Sequence, residues 1–511
     1  MDADVIVVGA GPVGLLLAAE LRLAGARPLV LERLAEPSAE PKARGIGPLA
    51  AEALRRRGLG GVLDAYREQG LADKARDHGS EKGHFAQIFK IDPALQEEPD
   101  RVGTLIWQRD LERVLAEHLA SIGGGEGGVS RECEVVALTQ DDSGVTVTVA
   151  TPAGERRLSA PYLVGCDGGR STVRKLAGFD FPGTEPTSVV RRVLTDAPGL
   201  DRLPEPGWTP AGRLMRAPGM VATIEFDGFP EDRGLPLTAE EMRQSLLRVT
   251  GVDVELPQVN GPLRFTDGAR QAATYRSGRV LLAGDAAHVH SPNGGQGLNL
   301  GLMDAANLGW KLAATVAGRA PEGLLDTYTA ERHPVGAAVL HNTRAQSALS
   351  LPGAHAAAMR DIVSDLLDLP DVNRYFGRML NGLGTRYEFP YPATHPLTGR
   401  ACPDLRLVTS SGETRTLSEL CGSGRALLVH APSQPEIAEA AGPWRGVLDV
   451  VEATVKDRDD LTAALVRPDG AVAWASGPGA APGPAPAPAP GPAPADTVTL
   501  TAALCAWLLP A

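Results

Sequence analysis

The sequence predicts an α/β protein whose first part contains a parallel sheet. The apolar run VIVVGA, near the N-terminus, is typical of a strand buried on both faces. The segment GLLLAAELRLAG that follows has helical periodicity and ends at Gly25, and PLVLER then predicts a second strand. Residues 4–33 therefore form one βαβ unit, the building block of a Rossmann-like sheet.

Length and charge limit the classes of protein that fit. A chain of 511 residues exceeds what one hydrophobic core supports, so two or three domains are expected. Asp and Glu total 62 against 50 Lys and Arg, a net charge of -12 without a long basic stretch, which argues against binding to nucleic acid. No apolar run is long enough to cross a bilayer, and the acidic N-terminus is unlike a signal peptide, so we expect a cytoplasmic protein.

Cysteine usage argues against a metal site. The five cysteines form no CxxC pair and no cluster with histidine, which indicates reduced thiols and no structural zinc; they are Cys133, Cys166, Cys402, Cys421 and Cys505.

Later segments predict further elements. Residues 109–120 have the pattern of an amphipathic helix, and CEVVALTQ and VTVTVATP predict an antiparallel ribbon with a DDSG turn. Residues 181–270 are strand-like and rich in turn residues, and helical segments continue to about residue 388. A change of pattern near residue 395 predicts a separate C-terminal domain. The Pro/Ala tract at 477–496 predicts a loop without fixed structure.

The first glycine-rich segment predicts a dinucleotide site. It lies between the first strand and helix and comprises Gly9, Gly11, Pro12, Val13 and Gly14. Glycines allow the backbone to approach a pyrophosphate, which the positive end of the helix stabilises. Glu32, followed by Arg33, ends the second strand, where a carboxylate can accept hydrogen bonds from a ribose. Chance glycines in an ordinary strand-turn-helix are the alternative, and this segment alone does not separate FAD from NAD.

A later segment favours a flavin. Gly284 and Asp285 end a buried strand, and an aspartate there can bind ribityl hydroxyls. The next residues lead into a long helix whose positive end would face the pyrimidine side of an isoalloxazine ring. They are Pro292, Gly294, Gly295, Gln296, Gly297, Leu298 and Asn299. The alternative, a helix cap and an unrelated loop, does not explain why all these residues occur together.

These segments resemble the class A flavoprotein aromatic hydroxylases, the family of para-hydroxybenzoate hydroxylase and phenol hydroxylase. Between them lies CDGGRSTVR, similar to the family's remaining motif, in which Asp167 is expected to contact the cofactor. The stretches AELRLAGARPLVLERL, GGQGLNLGLMDAANLGWKL and LVRPDGAVAWAS resemble the bacterial oxygenases of angucycline and anthracycline biosynthesis. The resemblance extends over nearly the full length of the chain.

The resemblance implies FAD as cofactor, NADPH or NADH as a transient reductant, and O2. In such enzymes the cofactor carries the difficult step, in which a flavin C4a-hydroperoxide transfers one oxygen atom to an aromatic ring. The protein supplies a dry pocket that orients the substrate. The implied substrate is a polycyclic aromatic polyketide in antibiotic biosynthesis, and the expected protein is a monomer or homodimer. Two alternatives are a Baeyer–Villiger oxygenation by the same motifs and a flavoprotein without oxygenase activity, such as a reductase or cyclase partner.

The resemblance also implies roles for single residues. Arg44 matches a family arginine near the flavin, with a plain surface arginine as the alternative. We expect the reaction centre at Arg44, Pro292, Gly294 and Gly295. Arg109 matches an arginine that reaches FAD phosphate; a surface ion pair with Asp110 or Glu112 is its alternative. His288 and His290 flank the flavin loop, and we expect them to be structural and not general bases.

The implied architecture is a Rossmann-like FAD-binding domain with an interleaved β-sheet substrate domain and a thioredoxin-like C-terminal domain. Its expected ranges are 1–180 and 271–394 for FAD binding, 181–270 for substrate, and 395–511 for the C-terminal domain. Residues 70–105 are expected to contribute to the substrate pocket. Five aromatic residues are candidates for lining it, with a place in the core as the alternative for each: Phe85, Phe89, Trp107, Trp208 and Phe226.

Overall fold

The structure, a computed structural model, describes residues 1–38, 43–77, 82–122, 128–226, 236–393, 395–456, 458–478 and 495–510. Its helices agree with the predicted amphipathic helix at 109–120, which spans Gln108–Ile122, and with the long helix after the later glycine-rich segment, Gln296–Val316. The other helices are Pro12–Leu23, Pro48–Leu54, Gly60–Asp77, Thr172–Leu176, Ala239–Thr250, Thr327–Leu349, Ala354–Leu366, Pro370–Asn381, Leu417–Leu420, Pro435–Ala440 and Ala495–Trp507.

A six-stranded sheet forms the centre of the first domain. Its spatial order is Arg276–Ser277, Val280–Leu282, Tyr162–Gly165, Val5–Val8, Pro28–Leu31 and Val129–Ser130. All neighbouring pairs are parallel except the first, so the sequence-predicted parallel sheet is present. The apolar strands and the Pro12–Leu23 helix bury their side chains in one large core. Because parallel strands end at one edge, the three glycine-rich segments, which follow three neighbouring strands, lie together.

Smaller antiparallel sheets adjoin it. The predicted ribbon consists of Glu134–Gln140 and Val145–Thr151, and a third strand, Gly154–Ala160, completes that sheet. Another sheet pairs Gly183–Thr184, Ala269–Gln271 and His288–Val289. Gly83–Phe85 and Ile88–Ile91 form a hairpin.

The region 181–270 contains a five-stranded antiparallel sheet. Its order is Gly207–Thr209, Gly212–Ala217, Met220–Glu225, Val189–Leu194 and Asn260–Thr266. The interpretation of this region as strand-like overlooked the helix Ala239–Thr250, which packs on one face of the sheet. Local signals for that helix exist: the Thr238 side chain accepts a hydrogen bond from Glu241 N, and Gly251 ends the helix at a φ of 75°.

The C-terminal region has its own six-stranded sheet. The order is Thr414–Thr416, Arg406–Thr409, Leu448–Val455, Ala426–His430, Ala463–Val466 and Val472–Ser476, with one parallel pair in the middle. Most of the Pro/Ala loop predicted at 477–496 lies outside the described residues, at 479–494; residues 495 and 496 belong to the last helix instead.

A buried ionic cluster joins the C-terminal sheet to the first domain. Arg467, in the hairpin after Ala463–Val466, donates to both carboxylate oxygens of Glu331 at 2.7 Å and also pairs with Asp469. Lys311 donates to the same Glu331 at 2.8 Å. Four rings surround the Arg467 guanidinium within 5.5 Å: Trp310, Tyr387, Phe389 and Trp507. The cluster satisfies charges that would be costly to bury alone.

No helix among the described residues is long and apolar enough to cross a membrane.

Candidate cofactor and active site

The first glycine-rich turn is closely packed on one side and open on the other. A Cβ on Gly14 would lie 2.0 Å from the Gly9 carbonyl oxygen, and one on Gly9 would lie 2.5 Å from the Cys166 oxygen. A Cβ on Gly11 would meet no heavy atom within 4 Å. Gly11 is the N-cap of the Pro12–Leu23 helix, without a side-chain hydrogen bond, so the helix presents uncapped N–H groups to the open side. This geometry suits a pyrophosphate.

Glu32 is fixed beside that turn. Its Oε2 accepts a hydrogen bond from Ala10 N, and its Oε1 accepts one from Leu34 N, both at 2.9 Å. Each carboxylate oxygen can accept more than one hydrogen bond, so Glu32 remains able to bind ribose hydroxyls. The neighbouring Arg33 is exposed.

A cleft continues from the turn along the Gln108–Ile122 helix. Its lining includes Ala10, Trp107, Arg109 and Arg131. Arg109 lines this cleft, and its contact with FAD phosphate stays a prediction; Glu112, its alternative partner, accepts a hydrogen bond from Gln108 Nε2 at 2.9 Å. Trp107, a candidate for the substrate pocket, lines the same cleft, and its role in substrate binding stays a prediction. Arg131 was missed, since no motif marks it and it reaches the cleft only through the pairing of Val129–Ser130 with the central sheet.

Arg44 lies beside Trp107, which lines the same cleft. It is exposed, and its guanidinium carbon lies 5.4 Å from the centre of the Trp107 ring. The loop that carries it is held by Ile46 and Thr104, whose backbones exchange two hydrogen bonds of 2.9 Å. Gly47 N donates to Asn299 Oδ1 at 2.6 Å, which ties the loop to the start of the long helix.

The CDGGRSTVR segment connects the other two motifs. Asp167 Oδ2 accepts hydrogen bonds from Thr172 N and Val173 N, so one oxygen caps a short helix. Its Oδ1 is buried without a hydrogen-bond partner among the described residues. Arg174 donates to the Ala286 and Gly169 carbonyls at 2.9 Å, a link the sequence did not reveal.

A buried network supports the Gly284–His288 segment from below. Asp304 accepts hydrogen bonds from Gly284 N at 3.1 Å and Arg332 Nε at 2.8 Å, and lies 2.7 Å from His288 Nε2. Burial raises the pKa of Asp304, but Arg332 and His288 outweigh it and the pKa is lowered overall. His288 is fully buried, which agrees with a structural role. Asp285 is exposed between buried neighbours, facing the open side.

The glycine-rich helix start has a backbone conformation that depends on its glycines. Gly294 and Gly295 have φ values of 77° and 63°, which a residue with a Cβ rarely adopts. The side chains of Gln296 and Asn299 face the protein: Gln296 accepts from Asn342 Nδ2 at 2.7 Å, and Asn299 donates to the Gly295 carbonyl. A cofactor would therefore meet the backbone of these residues and not their amide groups. Leu298 packs against the central core.

His290 lies beside the same helix start. Its Nδ1 is 2.7 Å from the Ser291 carbonyl, and Gly297 approaches its Nε2 so closely that a Cβ there would lie 3.4 Å away. Burial lowers the pKa of His290, so the ring is neutral near pH 7. Pro292, which precedes the turn, is exposed.

The aromatic candidates occupy three places. Phe85 is in the core under the 83–91 hairpin, 4.5 Å from Phe376, so its pocket assignment is wrong. Phe89 is 50% exposed on that hairpin. Trp208 and Phe226 stack at 6.1 Å on the five-stranded sheet.

These residues fit FAD. The uncapped helix start at the open glycine turn offers N–H donors to a pyrophosphate, and Glu32 and the exposed Asp285 offer carboxylates to hydroxyl groups. Among the residues that the structure describes, no group of three or more His, Cys, Asp or Glu is placed to hold a metal.

The chain is thus an FAD-binding protein of the α/β class, and comparison with known proteins defines its family. The FAD binding domain family matches residues 2–343, and the aromatic-ring hydroxylase C-terminal family matches residues 395–510. The chain belongs to this family of FAD-binding aromatic-ring hydroxylases and is a flavin monooxygenase, as the resemblance predicted.

Three similar proteins illustrate the family. The 12-dehydrotetracycline 5-monooxygenase/anhydrotetracycline 6-monooxygenase of Streptomyces rimosus is 43% identical over 505 residues, which cover 94% of this chain and 96% of that protein. The structure of CabE, an aromatic hydroxylase from angucycline biosynthesis, matches with a TM-score of 0.83 at 40% identity, over 93% of this chain and 96% of that one. The dialkyldecalin synthase of Streptomyces rugosporus is 38% identical over 93% of this chain and 96% of its own.

Proposed function

We propose that this flavin monooxygenase uses FAD, NADPH or NADH, and O2 to hydroxylate a polycyclic aromatic polyketide in antibiotic biosynthesis. Bound FAD supplies the oxygen chemistry, and the chain binds FAD and orients the substrate. The observation that carries the proposal is a mainly apolar sheet face that bears an aromatic pair and two arginines, Arg192 and Arg213. The names of the tetracycline and angucycline relatives support the substrate class.

Strand alternation defines that face. Val193, Leu214 and Val221 point to the Ala239–Thr250 helix and are fully buried. The register places Arg213 opposite both Trp208 and Ile224, so these three share the other face. Further members of that face are Val190, Leu194, Met215, Leu263 and Phe265, all half-buried. A half-buried apolar surface of this kind suits a flat aromatic ring system.

Arg213 adds a charge preference. Its guanidinium carbon lies 5.3 Å from the centre of the Trp208 ring, and that of Arg360 lies 4.6 Å away on the same ring. Burial lowers the pKa of Arg213, and the charge of Arg360 lowers it further. The Arg213 Nε is buried without a hydrogen-bond partner among the described residues. An ionised phenol or enol oxygen would compensate this charge, and such ionisation makes a ring more reactive toward electrophilic oxygen.

The strand order of the C-terminal sheet supports a thioredoxin-like domain. Four consecutive strands of the C-terminal sheet, counted from one edge, are Val472–Ser476, Ala463–Val466, Ala426–His430 and Leu448–Val455, with only the last pair parallel. This is the order expected of a thioredoxin-like domain, which we place at residues 395–511. We place FAD binding at 1–180 and 271–394, and substrate binding at 181–270 with a contribution from 70–105. The absence of CxxC from the sequence argues against disulfide exchange.

The test is oxygen incorporation. FAD-loaded enzyme is incubated with NADPH, 18O2 and either anhydrotetracycline or an angucycline-type phenol, and the product is analysed by mass spectrometry. We expect substrate-stimulated NADPH oxidation and one 18O atom in a new hydroxyl group. A product that gains water under mild base is a lactone and identifies a Baeyer–Villiger oxygenation. NADPH consumption or ring closure without 18O in any product contradicts the oxygenase assignment for these substrates.

A further inference from the structure

A second pocket adjoins the loop at Gly47 and the glycine-rich helix start. It is bounded by the Gln296–Val316 and Thr327–Leu349 helices, the end of the Pro370–Asn381 helix and two loops of the C-terminal domain. Its cavity volume is about 80 Å³. Most of its wall is apolar: Leu49, Ala50, Leu300, Met303, Val335, Val339, Leu380, Ala401 and Ala471.

The polar side chains of the inner wall are already satisfied. Arg332 donates to Asp304, to the Tyr387 hydroxyl and to the Leu300 carbonyl. Asp469 accepts from Arg467 and Asn307. Gln296 and Asn299, also in the wall, have the protein partners described above. A polar or charged ligand would therefore find no free partner there, whereas a small uncharged molecule would lose little on entry.

The pocket is open to solvent and also reaches the segments assigned to the flavin ring. Asn381 is exposed and Thr385 half-buried, so the turn after the Pro370–Asn381 helix is accessible from the surface. The lining also includes Gly47 and Asn299, which join the Arg44 loop to the glycine-rich helix start. The pocket therefore connects the surface with the proposed reaction centre.

We propose that this pocket takes up dioxygen and carries it toward the bound flavin. The inference rests on the proposed use of O2, the one small, uncharged and apolar reactant of that function. No covalent step occurs in the pocket, which acts by partition from water into an apolar space. None of the residues that line the pocket belongs to the five-stranded sheet, so a substrate bound on that sheet would not compete with dioxygen for this entrance.

Two measurements test the pocket. Crystals of the FAD-loaded enzyme under xenon pressure are expected to show xenon between Val339 and Met303, because xenon prefers apolar cavities. Failure of xenon to occupy the pocket overturns the proposal without the need for a variant.

The second measurement uses a matched pair of variants on one helix. Val339→Trp fills the pocket, whereas Ala338→Trp places the same ring on the exposed side of the helix. FAD in each variant is reduced anaerobically and mixed with O2 without substrate in a stopped-flow instrument. We expect the second-order rate constant of reoxidation to fall about tenfold in Val339→Trp and to change less than about twofold in Ala338→Trp. Anaerobic reduction by NADPH and the FAD dissociation constant should stay unchanged in both.

Equal reoxidation rates in Val339→Trp and the unaltered enzyme contradict the oxygen route. Because reoxidation is measured without substrate, the outcome is independent of hydroxylation. An enzyme that reoxidises normally but yields no oxygenated product contradicts the proposed function and leaves the route intact.

Discussion

The proposed cofactor site and the proposed substrate sheet are built by opposite means. At the cofactor site the backbone offers most of the groups that could bind: Gly11 leaves the helix start open, and Gly294 and Gly295 adopt left-handed conformations. On the sheet, side chains from separate strands meet on one face, as Trp208 and Arg213 do. A site built from backbone groups requires particular residues at fixed spacing along the chain. A site built from side chains on a sheet requires only that suitable residues lie on the same face of neighbouring strands.

This difference predicts how the two regions respond to substitution. Changes in the cleft should affect folding or FAD affinity and act on every substrate alike. Changes on the sheet should leave FAD binding intact and alter which substrate binds. Four experiments, from the largest expected effect to the smallest, sharpen or break the distinction.

Two alanine substitutions separate packing from cofactor contact within the glycine turn. In Gly14→Ala the new Cβ would lie 2.0 Å from the Gly9 oxygen, so we expect roughly 3 kcal/mol of destabilisation and no retained FAD. In Gly11→Ala the new Cβ would meet no protein atom, so the apoprotein should have the same unfolding temperature as the unaltered apoprotein. Its FAD affinity should fall, because the methyl group would occupy space next to the pyrophosphate. Thermal unfolding and flavin fluorescence titration measure both quantities. Equal FAD affinity in Gly11→Ala and the unaltered enzyme would remove Gly11 from the cofactor site.

Asp285→Ala tests the exposed carboxylate between buried neighbours. Loss of its hydrogen bonds to the cofactor should weaken FAD binding by about 10- to 100-fold, the range for hydrogen bonds to charged groups. Asp100→Ala removes another exposed acid and serves as the control. If both variants bind FAD equally in calorimetric titrations, Asp285 does not touch the cofactor.

Arg213→Gln tests the charge preference of the sheet. We expect substrate affinity to fall by about tenfold, or about 1.4 kcal/mol, with FAD affinity unchanged. In the unaltered enzyme, affinity for a phenolic substrate should rise with pH through the pKa of the phenol, and this rise should flatten in the variant. The control is Arg216→Gln, on the opposite face of the same strand, where Arg216 donates to the Leu200 carbonyl. A pH profile unchanged by Arg213→Gln would exclude recognition of an anionic oxygen.

Phe89→Ala should have the smallest effect. The ring is half exposed at a hairpin and contacts His84 at 5.0 Å, so we expect less than about a threefold change in substrate affinity. A larger loss, measured by spectral titration of the bound flavin, would extend the substrate site to the 83–91 hairpin.

The same distinction explains what the sequence predicted. The parallel sheet, the glycine turn and the position of Glu32 follow from local patterns, and all are present. Phe85 was misplaced because an aromatic residue has the same local pattern in a core or in a pocket. Gln296 and Asn299 belong to the expected segment, yet the directions of their side chains depend on Asn342 and Gly47, which are remote in sequence. Arg131 and the supporting Arg332 became apparent only once the strands and helices were assembled.

The ionic cluster at Arg467 limits which C-terminal domains can be exchanged between related proteins. Its members come from both domains, so the buried charges of Lys311 and Glu331 in the first domain are balanced only when Arg467 and Asp469 of the C-terminal domain are present. A chimaera that takes its C-terminal domain from a distant relative keeps only Lys311 and Glu331 of the cluster. If the new domain lacks residues that match Arg467 and Asp469, a charged side chain is left unpaired in the interior. Chimaeras that keep all four charged residues and the surrounding rings from one parent should fold. Chimaeras joined at residue 395 that combine these residues from two parents without a match should not fold.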